Sequence, residues 1–137
     1  MRHRPGASRD GRLPVRPERT VVVLGASDNP ERYSNRAVRL LKAEGYKVIP
    51  VHPVLGIIEG LEVRHGLAEI QEKVETLTVY LSPARSEPLV GDILRLKPQR
   101  VILNPGSESR RLEDGLGGSG IQILKACTLV MLSTGQF

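Results

Sequence analysis

"TVVVLGASDNPERYSNRAVRLLKAEGYKVIPVHP", Thr20 to Pro53, is the stretch whose reading decides the fold. It opens on a β-branched apolar run, breaks at Gly25-Ala26-Ser27, and resumes with Ala37, Val38 and Leu41 at helical spacing. Gly45 closes that helix, and "KVIPV" follows as a second apolar run. The grammar is strand, loop, helix, strand. Runs that are apolar on consecutive positions suit a sheet covered on both faces, and the interposed helix implies a parallel crossover.

The pattern continues downstream. "LTVYLS" and "RVILN" read as further strands. Between them, "PARSEPLVGDILRLKP" predicts a helix opened by Pro83 and closed before Pro98, with Pro88 disturbing its first turn. "SESRRLEDGL" predicts another helix with Ser107 as its N-cap, ended by "GGSG". "IQILKACTLVML" comes last, and the apolar "TLVMLSTGQF" is expected to complete the sheet. The predicted architecture is α/β, a Rossmann-like doubly wound parallel sheet of about five strands forming a single domain over residues 20–137.

Composition narrows the functional classes. The chain has 137 residues, enough for one domain of ordinary size. Its net charge of +5 is concentrated in residues 1–19, where six arginines face only Asp10 and Glu18; that leaves +1 for the rest. With three prolines, two glycines and no apolar periodicity, residues 1–19 read as a disordered basic extension. A near-neutral domain with no Trp, one Phe and three Tyr lacks the stacking platform of a single-strand binder, so nucleic acid is not an expected partner. A single cysteine, Cys127, excludes an internal disulfide and a multi-cysteine zinc site. No apolar run resembles a secretory signal or a membrane span, and the expectation is a soluble cytoplasmic protein.

In such a sheet, ligands bind beyond the carboxyl ends of the strands, where strand order reverses. Gly25 permits a tight turn there, Ala26 and Ser27 let an anion approach the backbone, and the next helix begins near Ser34 with unpaired N–H groups. Arg32 and Arg36 stand close in sequence. A nicotinamide dinucleotide site ordinarily places an acid at the end of the second strand, whereas this strand ends in His52 and Pro53. The Gly-Lys-Ser/Thr of a triphosphate loop is also missing. The histidines show no metal-ligand spacing, and no catalytic nucleophile, base or metal set emerges.

Taken in order, "VVVLGASDNPERYSNRAVRLLKAEGYKVIPVHP", "GLEV", "LAEI", "LSPARSEPLV" and "VILNPGSES" resemble the small CoA-binding domain proteins. That family is related to the N-terminal CoA-binding domain of succinyl-CoA synthetase α chains. The resemblance covers residues 20–132. It implies coenzyme A or an acyl-CoA as the ligand, with its diphosphate on the loop Gly25, Ala26, Ser27 and Asp28. Its other parts are then expected against Arg32, Ser34, His52, Pro53, Ser82, Pro83, Pro105, Gly106 and Ser107. The phosphorylated histidine and nucleotide-grasping machinery of the synthetase lie in other domains, so the resemblance implies a CoA-binding module without its own catalytic residues. A CoA-type small molecule is the expected partner, with an unidentified protein partner and a monomer or homodimer left open. The alternative is an NAD(H)-binding Rossmann domain with a redox-sensing or enzyme-subunit role.

Overall fold

The computed structural model describes residues 16–137, with side chains from Arg19 onward. The expected basic extension lies largely outside the described residues. Its last four, Arg16 to Arg19, belong to the first strand. The prolines at 14 and 17 had marked this stretch as unstructured, yet the strand runs through residues 16–19, with a register irregularity between Arg16 and Thr20.

Five parallel strands, β1 (Arg16–Leu24), β2 (Tyr46–Val51), β5 (Thr76–Val79), β6 (Arg100–Leu103) and β7 (Gln122–Lys125), form one sheet in the order β2-β1-β5-β6-β7. A hairpin of β3 (Ile57–Ile58) and β4 (Leu61–Glu62) projects after β2. Helix α1 (Tyr33–Ala43) links β1 to β2. Pro88 breaks the next helical segment into α2 (Pro83–Ser86), a tight turn at Glu87–Leu89, and α3 (Val90–Leu96), because proline supplies no N–H to the helical ladder. Helix α4 (Arg110–Leu116) precedes β7, and α5 (Thr128–Ser133) follows it.

Alternation along β1 explains the two layers. Val21 and Val23 face α1 with Ala37, Val38 and Leu41, whereas Val22 and Leu24 join Ile93, Leu112 and Leu116 on the other side. All of these are buried. With no solvated face left on the central strands, sheet order and helix placement are fixed together.

Two expectations need correcting. "TLVMLSTGQF" does not complete the sheet; its first six residues form α5, which packs against α1 through Leu132. Burial at Thr128 and Leu132, four residues apart, is helical spacing that the continuous apolar run concealed. Ser107 does not cap α4 either. Its N–H closes a turn onto Asn104 O at 2.8 Å, and Ser109 is the cap, accepting from Leu112 N at 3.1 Å. The Pro105-Gly106 turn consumes the residues that would otherwise have started the helix.

Candidate functional site

From β1 the chain winds to β2 on one side, and from β5 it winds to β6 on the other. The loops after β1 and β5 therefore diverge, and a cleft of about 460 Å³ opens between them. Eleven of the thirteen residues expected from sequence line it: Gly25, Ala26, Ser27, Arg32, Ser34, His52, Pro53, Ser82, Pro105, Gly106 and Ser107. Asp28 is exposed outside the lining, and Pro83 opens α2 without reaching the cleft. Tyr33, Tyr80, Leu81 and Arg85 also line it, although sequence reasoning had not singled them out.

The floor is where the first and third loops touch. Gly25 has φ +86°, and a Cβ on it would meet Leu81 Cδ2 at 2.9 Å and the Tyr80 carbonyl carbon at 3.2 Å. Only glycine satisfies both the turn and the close approach. Ala26 N donates to Val51 O at 3.1 Å, which ties the loop to the end of β2.

The loop is held from beneath by Asn35. This buried side chain donates from Nδ2 to Ser27 O at 2.9 Å and to Glu59 Oε2 at 3.1 Å, while its Oδ1 accepts from Arg39 Nε at 2.8 Å. Ser27 Oγ accepts from Asn29 N at 3.0 Å, so its hydroxyl proton stays free to donate outward. Helix α1 then follows with Arg32 at its N-cap position, no side-chain cap and no acid in its first turn. Its leading N–H groups and partial positive charge thus meet the cleft at Tyr33 and Ser34.

On the opposite wall, Asn104 is a buried clamp. Its Nδ2 donates to Thr78 Oγ1 at 2.7 Å and Val79 O at 2.9 Å, and its Oδ1 accepts from Thr128 N at 2.9 Å. This fixes the turn carrying Pro105 to Ser107 against β5 and α5. The Tyr80 phenol lies beside this network. Burial pushes it up to about 12, and the hydroxyls of Thr128 and Thr78 pull the other way. Those two hydroxyls bond each other at 2.8 Å, and the Tyr80 hydroxyl has no well-formed partner among the described residues.

Charge distinguishes this cleft from the rest of the surface. Arg32 and Arg85 are exposed in it, and neither guanidinium is hydrogen-bonded or ion-paired to any described residue. No carboxylate belongs to the described residues that line it. A larger depression of about 600 Å³ has the opposite character: it is lined by Glu62, Glu69 and Glu72 with Gln71 and Arg64, and Arg64 is engaged by Glu72 at 2.6 Å. An anionic ligand favours the smaller cleft. Among the described residues, no group of three or more His, Cys, Asp or Glu side chains could hold a metal ion, and no helix is long and apolar enough to cross a membrane.

Fold and cleft together define a Rossmann-like domain with an open cleft at its topological switch point. Comparison with known proteins makes this specific: the CoA binding domain family model matches residues 19–133, and the chain belongs to that family. The Bacillus subtilis protein YneT, itself uncharacterised, is 32% identical over 71 residues, covering 52% of this chain and 50% of that protein. The chain thus matches only about half the length of that relative. Among solved structures, an uncharacterised protein shares 38% identity with a TM-score of 0.76, over 87% of this chain and 98% of its own. The cell-free ID.343 protein of Thermus thermophilus shares 30% with a TM-score of 0.79, over 87% and 90%. An acetyl-coenzyme A synthetase of Ca. Korarchaeum cryptofilum shares the fold at 18% identity and a TM-score of 0.67, over 78% of this chain and 25% of that one.

Proposed function

We propose that this chain binds coenzyme A or an acyl-CoA in the cleft between the β1 and β5 loops, with the diphosphate on Gly25 to Asp28. In this reading it carries no catalytic residues of its own and presents the bound thiol or thioester to a partner. One observation carries it. At the switch point of a CoA-binding family fold, the cleft gathers two unpaired guanidinium groups, an uncapped helix start and no described carboxylate. A diphosphate supplies the negative charge that these donors lack, and it caps α1.

The nicotinamide alternative is not favoured. Its ribose hydroxyls need an acceptor at the end of β2, and His52 stands there. Thermal unfolding with CoA, acetyl-CoA, NAD, NADH and ATP in parallel tests the assignment. A ligand at roughly 100 times its dissociation constant adds about 2.7 kcal/mol, a shift of several degrees for a domain of this size. CoA and acetyl-CoA should raise the unfolding temperature, and NAD, NADH and ATP should not. A rise with NADH alone overturns the reading. Acetyl-CoA incubated with the protein should hydrolyse no faster than in buffer.

A further inference from the structure

We infer that Glu59 is a positioning residue for the diphosphate loop, on which it acts through Asn35 from outside the cleft. This rests on the CoA reading above and deepens it by naming a residue that touches no ligand. The β3–β4 hairpin turns on two residues, Glu59 and Gly60, between the paired Ile58 and Leu61. Both have positive φ, +50° and +78°, as a type I′ turn requires. Asparagine is favoured at the first of these positions because it tolerates the left-handed region far better than glutamate does. Among the described residues the other non-glycine with positive φ is Lys97, which closes α3. A glutamate held against its backbone preference points to a task for its side chain.

That side chain is half-buried and does not line the cleft. Its Oε2 accepts from Asn35 Nδ2 at 3.1 Å, and the same Nδ2 donates to Ser27 O at 2.9 Å. An amide nitrogen carries two N–H groups, so these acceptors use both. Arg39 Nε occupies the other side of the amide, donating to Oδ1 at 2.8 Å. A carboxylate that only accepts and a guanidinium that only donates leave Asn35 one orientation. Turned over, its Oδ1 would face the Glu59 carboxylate and the Ser27 carbonyl. Asn35 is fully buried, so an amide proton without a partner there is costly.

The hairpin does not need this carboxylate to dock. Lys42 Nζ donates to Glu59 O at 2.7 Å and ties the turn to α1 through the backbone, while Ile58 is buried against the α1 side of the core. Backbone and apolar contacts thus hold the turn in place, and the side chain is left to orient Asn35 beneath Ser27. The loop that meets the ligand is set by a residue 24 positions beyond Asn35.

Calorimetric titration with CoA and ligand-free thermal unfolding of the same full-chain samples test this. Glu59→Asn supplies the favoured turn residue but is one methylene shorter and loses its reach to Asn35. It should unfold at the wild-type temperature or a few degrees above it, yet bind CoA about fivefold more weakly, the size of one hydrogen bond. Glu59→Gln keeps the length and offers an amide oxygen to the same N–H, so it should bind CoA as the wild type does. Both variants remove the charge, and their difference isolates the reach. Wild-type affinity in Glu59→Asn would overturn the inference with the CoA reading intact. An equal loss in Glu59→Gln would overturn it too, by assigning the effect to charge. So would a parallel fall of affinity and unfolding temperature in Glu59→Asn, which would make the residue a brace of the hairpin alone. A wild type that binds no CoA would overturn the CoA reading and the inference with it.

Discussion

The two ends of the sheet carry arginines in opposite states. At the amino ends of the strands, Arg19 Nε binds Glu75 Oε2 at 2.9 Å, its guanidinium lies 4.7 Å from the Tyr46 ring, and Arg100 packs 4.4 Å from the Phe137 ring. Arg19 and Arg100 both donate to Phe137 O as well, at 3.2 and 3.3 Å. Burial pushes the Glu75 carboxyl up, yet the hydrogen bond and charge of Arg19, with help from Thr76 and Arg100, hold it below the usual range. Arg19, Glu75 and Arg100 are thus all engaged. At the carboxyl ends, Arg32 and Arg85 face a cleft without ionic partners. A satisfied cluster contributes stability; unsatisfied donors in a concave site are available to a ligand.

Breaking the satisfied end should give the largest loss of stability. Glu75→Gln removes the charge that offsets Arg19 and Arg100, and Arg100 is only 15% exposed. Denaturant unfolding should show a loss of about 2 kcal/mol, while CoA affinity stays at the wild-type value. An equal loss of affinity would mean that the two ends are not independent.

Asn35 sharpens the comparison because it serves both stability and the site. Asn35→Ala leaves Ser27 O and Glu59 without their shared donor and should cost about 1–3 kcal/mol. Unlike Glu75→Gln, it should also weaken CoA binding, because it releases the phosphate loop. Arg85→Ala is the pure case at the other end. It should weaken CoA binding about tenfold and change stability by no more than about 0.5 kcal/mol, as expected for an exposed residue without partners. Calorimetry and chemical unfolding on the same samples separate the two effects.

How far this contrast was legible in the sequence follows from its chemistry. The strands and α1 were, because consecutive apolar runs and the 37, 38, 41 stripe have few other physical explanations. Most of the cleft lining was too, since loops following strands converge at one sheet edge by topology alone. Asn35 was hidden because a polar residue inside a helix usually reads as a solvated face, and only the fold shows it buried beneath Ser27. Arg85 sat in the quoted "LSPARSEPLV" with nothing to mark it, because its role depends on where α2 starts rather than on any motif. Arg19 was assigned to the basic extension because its partner, Glu75, lies 56 residues away. Local patterns carry periodicity well and long-range pairing hardly at all.

Glu72 gives the smallest effect and tests whether satisfied charge is confined to the amino end. It lies on the β2 flank, bound by Arg64 at 2.6 Å and approached by Lys47 at 3.6 Å. The hydrogen bond from Arg64 holds its carboxyl down to about 2, against the opposing effect of burial. The folded value therefore lies below the unfolded one near 4.5. The stability it contributes is complete above the unfolded value and is lost as the pH falls toward about 2. In thermal melts across this range, Glu72→Gln should be slightly less stable than wild type at neutral pH. The two curves should converge as acid protonates the wild-type carboxylate. Parallel curves would show that Glu72 stabilises through packing rather than charge, leaving the Arg19–Glu75–Arg100 cluster as the main source of acid sensitivity.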